Sequence, residues 1–500
     1  MSFGPADFPG FGGLDLRDPE DAQGAIALSN VRFDVRPGRL DPRPGYTVIG
    51  SLDHYYPNAF HYSEAVSRFS VAGSSTNGAG SFIQVQNAAG SSSAVSTGYG
   101  DATVPWSIVD ASGGSSPTPA VYYANGIDVL VRYRSSALTT LSAACSTKTA
   151  AESSFSAYSR SGPKPRALCV QLPDKRLVAA GTPSGGGPNS ASSHQSVVWF
   201  SQPGNAEQWD ETDYVDLGYD GEDITAAVSY GNNVFVFKKT KMFVFYGNSV
   251  DGTGGTVFNY RAIDRAFPGN DAEIHQGNIV VAPEGVYVWT RQGVYVTTGS
   301  QPRLVSDAIQ PMFSTALSGY SHDTASSRSL LSGNGTGCGF YSRGTLYWSA
   351  VGTGYDWYTL SSGQWSKWSI DGGGIGMATN GHSLYTGLRT GFGLLSQDTT
   401  TDNGTAIASY YTSPYLAFGE PKAEKHVRAS ELHGTGTVTL AWGKDLQTHG
   451  TAETVAMSSG IGHGRTGARG RVLSFKIAAS AAGWTVNRVV PMLQAVRTGK

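Results

Sequence analysis

Apolar and polar residues alternate with period two along most of this chain, and the pattern folds back at short breaks rich in Gly, Asn or Asp. Val31, Phe33 and Val35 alternate with Arg32, Asp34 and Arg36, as in a half-buried strand. Arg36-Pro37-Gly38-Arg39 then supplies a turn, with Pro fixing φ and Gly open to positive φ. The same unit of strand, tight turn and strand recurs over residues 168–179, 228–237, 279–290 and 340–350. Their turns are Pro173-Asp174-Lys175, Gly231-Asn232-Asn233, Glu284-Gly285 and Arg343-Gly344. Residues 121–133 turn near Asn125-Gly126, and weaker units centre on Ser67 and on Gly381-His382. Such turns between apolar runs are hairpin signals.

The turn centres fall near residues 67, 126, 174, 232, 285, 344 and 382. A four-stranded propeller blade takes about 40–50 residues, so the spacing predicts a β-propeller of seven blades, or of six with one blade split. Stacked sandwiches are the competing architecture. Helical periodicity is confined to residues 306–317, where Ile309, Phe313 and Leu317 recur behind a Ser306 or Asp307 cap. The Ser/Gly/Thr-rich stretches 91–101, 113–119, 184–193, 249–256 and 332–337 read as surface loops. Beyond residue 404 the blade spacing stops, and strands at 410–418, 428–433, 437–442, 472–478 and 485–490 predict a C-terminal β-sandwich. The expected organisation is an all-β chain with an extended arm and first hairpin over 1–50, a propeller over 51–404 and a sandwich over 405–500.

The arm carries Pro5, Pro9, Pro19, Pro37, Pro42 and Pro44. Proline donates no ladder hydrogen bond, so this segment cannot be a central strand. It is expected to wrap across the propeller and close the ring of blades, or to reach a neighbouring subunit. Arg17, Arg32, Arg36, Arg39 and Arg43 then either pair with carboxylates at that contact or form a solvated stripe facing a lumen.

Composition narrows the class. Gly accounts for 65 of 500 residues and charged residues for only 15%. With 25 Tyr, 20 Phe, 10 Trp and a net charge of −2, the chain has the apolar content of a folded protein, and the Gly/Ser bias reads as turns. Near-neutral charge argues against a dedicated nucleic-acid binder. No apolar run approaches the length of a membrane span, and the opening residues lack the basic and apolar regions of a targeting peptide. Cys145, Cys169 and Cys338 are odd in number and widely separated, and read as buried or incidental thiols in a protein made in a reducing cytoplasm.

Candidate chemistry is sparse. His54/His61 and His426/His433 are spaced by seven, which suits neither a helical nor a strand metal pair. Gly462-His463-Gly464-Arg465-Thr466-Gly467 matches G-x-G-x-x-G without a strand–helix context, so a turn loop is expected. Thr400-Thr401-Asp402-Asn403-Gly404-Thr405 begins like a sialidase Asp box, but Ala406 and Ile407 stand where Thr and an aromatic belong and it occurs once, so it reads as a turn. Asp216, Asp220, Glu222 and Asp223 either bind Ca²⁺ or form a solvated loop. Asp216, Asp220 and Asp223 with Trp209 are also the best candidates for a carbohydrate site. Arg465, Arg469, Arg471 and Lys476 form the one local basic cluster, placed either on DNA phosphates or, preferably, at a subunit contact. No cofactor is expected.

The order of several elements resembles the hub or nozzle β-propeller proteins of short-tailed bacteriophages, the tail tubular protein B-like family. The resemblance runs through Gly12-Gly13-Leu14-Asp15-Leu16-Arg17-Asp18, Leu28-Ser29-Asn30-Val31-Arg32-Phe33-Asp34 and Arg43-Pro44-Gly45-Tyr46. It continues in Trp199-Phe200-Ser201-Gln202-Pro203-Gly204 with Trp209, in Val234-Phe235-Val236-Phe237-Lys238, and in Gly285-Val286-Tyr287-Val288-Trp289 with Gly293-Val294-Tyr295. Leu304-Val305-Ser306-Asp307-Ala308-Ile309 and the Trp-bearing stretches at Trp357, Trp365 and Trp368 complete it. It covers most of residues 10–400.

This resemblance implies a non-enzymatic virion tail protein, made in the host bacterial cytoplasm, that forms a hexameric ring below the portal and adaptor. The implied partners are further copies of the chain, the head-to-tail adaptor, a tail fibre or needle, and genomic DNA in transient nonspecific contact. A low-charge lumen would not retard DNA, since each phosphate contact adds affinity. The alternatives are a minor tail protein elsewhere in a tailed phage, or a carbohydrate-binding or carbohydrate-cleaving propeller.

Overall fold

The computed structural model describes residues 4–495 except 6–9, 18–23, 34–37, 53–56, 75–79, 88, 101–105, 115–117, 142–163, 173, 183–194, 219, 251–255, 269–273, 291, 314–337, 351–355, 371–375, 381–382, 389–390, 397, 419–422, 466 and 481–482. Six consecutive four-stranded antiparallel sheets occupy most of it. Blade one runs from Pro57–Ser63 to Ser92–Tyr99, blade two from Ser107–Gly113 to Ala137–Thr140, and blade three from Ala167–Gln171 to Asn205–Asp216. Blade four runs from Ala226–Tyr230 to Thr256–Ile263, blade five from Ile279–Ala282 to Arg303–Leu304, and blade six from Gly339–Ser342 to Gln364–Ser369.

The seventh blade is built from both ends of the ring. Gly376–Asn380, Ser383–Gly387 and Gly391–Ser396 supply three strands, and the N-terminal strand Gly45–Ser51 pairs as the fourth, with Leu395 opposite Tyr46 and Ser396 opposite Gly45. The first strand of each blade adjoins the first strand of the next, and that of blade seven returns to that of blade one. The chain is therefore a closed seven-bladed β-propeller, which excludes both the six-bladed count and the stacked sandwiches.

Each junction between blades holds its own apolar cluster. Val85 and Tyr123 meet between blades one and two, Tyr122 and Trp199 between two and three, and Phe200 and Phe245 between three and four. Phe237 and Val288 meet between four and five, Trp289 and Trp348 between five and six, Trp357 and Met377 between six and seven, and Phe392 and Phe69 between seven and one. A blade packed on both faces needs strands that are apolar on both sides. Ser81–Gln86 and Asp356–Ser361 are accordingly buried along their whole length, as continuous rather than alternating runs.

The hairpin expected over 121–133 is present, its Asn125-Gly126 turn joining the second and third strands of blade two. Several sequence expectations need correction. The stretch 91–101 is not a loop: Ser92–Tyr99 is the outer strand of blade one. Its backbone is held by the neighbouring strand while its side chains face solvent, so Ser and Thr suffice. The helix expected over 306–317 is a 3₁₀ segment at Asp307–Met312, and residues past 313 lie outside the described ones. Ser306 does not cap it, because its hydroxyl accepts the Val294 N–H at 2.9 Å. The stretches 184–193 and 332–337 also lie outside the described residues.

Two five-stranded sheets, and the two-stranded pair of Val31–Arg32 with Asp41–Pro42, complete the structure. One contains Gly4–Pro5, Thr485–Ala495, Lys425–Thr435 and Ile461–Gly464, with Ala468–Gly470 also on Lys425–Thr435. The other contains Ala27–Ser29, Ser409–Thr412, Leu473–Ala479, Thr437–Lys444 and Glu453–Ala456. Val427, Leu432 and Val486 from the first sheet share one core with Tyr411, Leu440 and Phe475 from the second. The glycine-rich stretch at 462–467 therefore begins in a strand, not a turn loop. A Cβ at Gly462 would stand 2.7 Å from the Ala456 carbonyl oxygen, so glycine is what lets this strand lie against Glu453–Ala456. Among the described residues no helix is long and apolar enough to cross a membrane.

The arm binds these parts together. Leu14 N–H donates to the Trp365 carbonyl at 2.6 Å and Asn30 N–H to the Lys367 carbonyl at 2.8 Å, so the arm covers the outer edge of blade six. Ala27–Ser29 meanwhile pairs with Ser409–Thr412. Phe11, Leu14, Leu28 and Val31 of the arm lie in one continuous core with Trp289, Trp348 and Trp365 of the ring and Tyr411, Trp442 and Phe475 of the C-terminal sheets.

Candidate functional site

The expected arginines do not form one stripe. Arg43 is the most deeply placed, with its side chain 1% exposed. Its Nη1 donates to Asp402 Oδ1 at 2.9 Å and its Nη2 to Asp402 Oδ2. Nε reaches Asn30 Oδ1 at 2.8 Å, and further bonds go to the carbonyls of Pro44 and Ser369. Asn30 sits at φ 58°, a left-handed conformation that Asn tolerates, and its Oδ1 also accepts Ser369 N–H at 2.7 Å. Its Nδ2 donates to the Ala408 carbonyl at 2.8 Å.

Asp402 lies in the two-residue hairpin Thr401–Asp402 and Thr405–Ala406, whose central Asn403 and Gly404 both have positive φ, as an Asn-Gly turn of this kind requires. The turn expected at this stretch is therefore present. A Cβ on Gly45 would fall 2.2 Å from the Thr401 carbonyl oxygen, so only glycine admits the hairpin at this crossing. One guanidinium thus ties the arm, the end of blade six and the first hairpin after the ring, where the ring's seam lies.

Arg17 forks onto Asp15 at 2.8 and 2.6 Å, and Arg39 onto Asp41 at 2.8 and 2.5 Å, both within the arm. Arg32 is buried and lines a cavity of about 270 Å³ beside the seam. Arg36 lies outside the described residues. Arg465, Arg469 and Arg471 are exposed on the C-terminal sheets. Arg469 meets Glu424 at 2.9 Å, while the backbone N–H groups of Arg465 and Arg471 donate to Glu453 and Asp445. Lys476 lies over the Tyr410 ring at 4.9 Å.

The near-neutral total conceals a division of charge. Residues 405–500 hold eleven of the 36 Lys and Arg but only five of the 38 Asp and Glu. The C-terminal part is therefore basic, and the arm and ring are acidic. This division is visible in the sequence once the boundary near residue 404 is drawn, but a whole-chain count averages it away.

The acidic loop of blades three and four does not converge on one point. Asp220 pairs with Lys238 at 2.9 Å and Lys241 at 2.5 Å, and Glu222 takes the Thr240 N–H and hydroxyl. Asp216 accepts from Ser196, and Asp223 from the Gln195 N–H. Burial alone would raise the Asp220 pKa, but the hydrogen bonds from Lys241 and Lys238 hold it below the ordinary value. Trp209 is fully buried, so it offers no surface to a glycan. No group of three or more His, Cys, Asp or Glu is arranged to hold a metal ion among the described residues. His61 meets Asp110 at 3.2 Å and His433 meets Glu431 at 2.6 Å, each as an isolated pair.

A second polar cluster had no signal in the sequence. Glu207 of blade three takes Arg132 at 2.7 Å, Arg134 at 2.6 Å and the Tyr122 hydroxyl at 2.9 Å, all from blade two. Burial first, and then the Glu207 carboxylate, push the Tyr122 pKa well above its ordinary value. The arrangement locks two blades together. Cys169 and Cys338 are buried free thiols, and Cys145 lies outside the described residues.

No family model matches this chain, and no curated protein matches it. Among solved structures, BamB from Moraxella catarrhalis is similar at 10% identity and a TM-score of 0.36, over 70% of this chain and 89% of that one. BBS1N, solved in complex with ARL6DN, is similar at 10% identity and a TM-score of 0.40, over 71% of this chain and 99% of that one. An acylaminoacyl peptidase, in complex with Z-Gly-Gly-Phe-chloromethyl ketone, is similar at 9% identity and a TM-score of 0.36, over 72% of this chain and 58% of that one. Likeness this distant carries no argument about activity, and the propeller assignment rests on the chain's own seven sheets and their closure.

Proposed function

We propose that this chain is a structural subunit of a bacteriophage tail, one copy of a hub or nozzle ring through which DNA leaves the particle. The observation that carries the reading is the single core joining the arm, blades five and six and the C-terminal sheets. A chain tied at both ends of its ring and across its largest junction has the rigidity an assembly part needs, and the propeller leaves few open strand edges. The ordered resemblance of residues 10–400 to tail hub proteins supports that reading. The division of charge supports it further. A basic C-terminal part and an acidic ring suit a head-to-tail contact between copies, and contacts of that type generate closed rings.

The test is particle composition. Mass spectrometry of purified tailed particles, from cells that make this chain, is expected to find it in several copies per particle. Its absence from such particles would overturn the proposal.

A further inference from the structure

We propose that the outer strand of blade one, Ser92–Tyr99, is a pairing edge for a second copy of this chain, joined strand to strand and antiparallel about a twofold axis. An edge strand presents a row of backbone N–H and C=O groups that can continue the ladder into another chain. Folded proteins block such edges with charge, proline, short length or a covering segment.

The other outer edges of the ring are blocked in one of these ways. The arm covers Gln364–Ser369 of blade six, and Asp402 bridges to Tyr46 on the outer strand of blade seven. Arg303–Leu304 of blade five has two residues and Ala137–Thr140 of blade two has four. Asn205–Asp216 of blade three carries five acidic residues among its twelve, and Thr256–Ile263 of blade four carries the exposed Arg261. Ser92–Tyr99 is eight residues long, with no charge and no proline, and none of its residues is buried. Among the described residues it pairs only with Ser81–Gln86, at the end of its sheet. Its protection is a register shift near each end, which leaves Ala94–Thr97 in regular register.

The sequence of the strand selects the partner. In an antiparallel self-pair centred on Val95, this residue stands opposite its own copy and Ala94 stands opposite Ser96. Val95 is 42% exposed in the single chain, so the pairing removes an apolar side chain from water. A β-branched pair is favourable across antiparallel strands, and no like charges meet. The same pairing on blade three would bring one acidic strand against another. Ser92–Tyr99 is also held in its paired form already, by a strand buried along its whole length, so little conformational entropy is lost on association. The contact is isologous: it joins two copies and does not propagate. It is therefore separate from a head-to-tail ring contact and does not rest on the tail reading, whose particle test can fail without touching it.

The test is sedimentation equilibrium of the full chain over a concentration series. Reversible association through pairs of chains is expected. Val95→Lys sets two ammonium groups face to face across the axis and is expected to weaken the pairing by about tenfold or more, with the thermal midpoint of the dilute protein unchanged. Arg469→Gln, on the C-terminal sheets, is expected to leave the association as it is. In a Cys145→Ser background, Val95→Cys treated with copper phenanthroline is expected to give a disulfide-linked dimer. Leu446→Cys, at a position 50% exposed on the C-terminal part, is expected to give none. The cross-link reads the pairing even where the chain also forms a larger ring. The proposal is overturned if the parent stays monomeric throughout the series, if Val95→Lys leaves the association unchanged, or if the two cysteine variants cross-link alike.

Discussion

Asp402 gives both oxygens of its carboxylate to Arg43, a residue 359 positions earlier in the chain. The pair is nearly inaccessible, with side chains 5% and 1% exposed. Burying two charges is costly, and the cost is offset here by geometry and by the bonds Arg43 makes to Asn30, Pro44 and Ser369. Removing one partner leaves the other charged, buried and incompletely paired. Arg43→Met and Asp402→Asn are each expected to destabilise the fold by about 3–5 kcal/mol. The double variant should cost less than the sum of the two. Denaturant unfolding of the four proteins in a double-mutant cycle measures this; additive losses would show that the pair does not act as a unit.

The junction of blades two and three offers a parallel case on the opposite part of the ring. Glu207 is buried and holds Arg132, Arg134 and Tyr122. Glu207→Gln removes the charge that keeps two guanidinium groups side by side. A loss of about 3 kcal/mol is expected. Glu424→Gln breaks the exposed pair with Arg469, whose side chain is 57% exposed, and should cost below about 1 kcal/mol. Equal losses from the two variants, in paired unfolding curves, would contradict a locking role for Glu207.

The contrast between these two sites shows what a linear reading can reach. Turns at Gly231-Asn232 and Arg343-Gly344 join strands adjacent in sequence, so local φ preferences and apolar runs locate them. The outer strand Ser92–Tyr99 escapes the same reading because its exposed face selects for no apolar residue. Ring closure escapes it for a different reason. Tyr46 meets Leu395 only through tertiary pairing, and nothing in either local sequence names the other. Asp402 did carry a partial signal, since the Asn403-Gly404 turn after it is local chemistry, but its partner Arg43 is not. Glu207 sits in a strand that gives no hint of two arginines from the neighbouring blade. The arm's prolines mark it as an edge element, and Gly4–Pro5 is indeed the edge strand of its sheet, whereas Gly45–Ser51, which carries no proline, lies between Gly391–Ser396 and Thr401–Asp402.

The thiols give a check on burial. Desolvation pushes Cys169 and Cys338 up to about 12 each. At pH 8 the thiolate fraction of such a group is on the order of one in ten thousand, and the thiolate is the reactive form. In a Cys145→Ser background the native protein is expected to show no reaction with an aromatic disulfide reagent at pH 8 over minutes. Two equivalents should react once guanidinium unfolds it. Prompt reaction of the folded protein would mean that the packing around one of these thiols opens readily.

The Asp220 pair predicts a pH dependence with a definite sign. Its folded pKa lies below the ordinary 3.8, through hydrogen bonds from Lys241 and Lys238 that outweigh burial. A group with a depressed folded pKa contributes stability that is present above its unfolded pKa and lost as pH falls through the folded value. The hydrogen bond to Asp220 in turn raises Lys241 above its ordinary 10.5, so that contribution is complete below 10.5 and is lost as pH rises from there through the raised value. Between those limits the contribution should be flat. Asp220→Asn also leaves the fully buried Lys238 ammonium beside a neutral amide, so the variant is expected to be less stable than the parent at neutral pH. The gap should hold down to about pH 5 and close progressively below about pH 4, because the parent's own carboxyl becomes protonated there. Urea midpoints of the two proteins, measured from neutral pH to about pH 2.5, decide the matter. A gap that persists unchanged at the acid end would show that the variant acts through packing and not through the charge of Asp220.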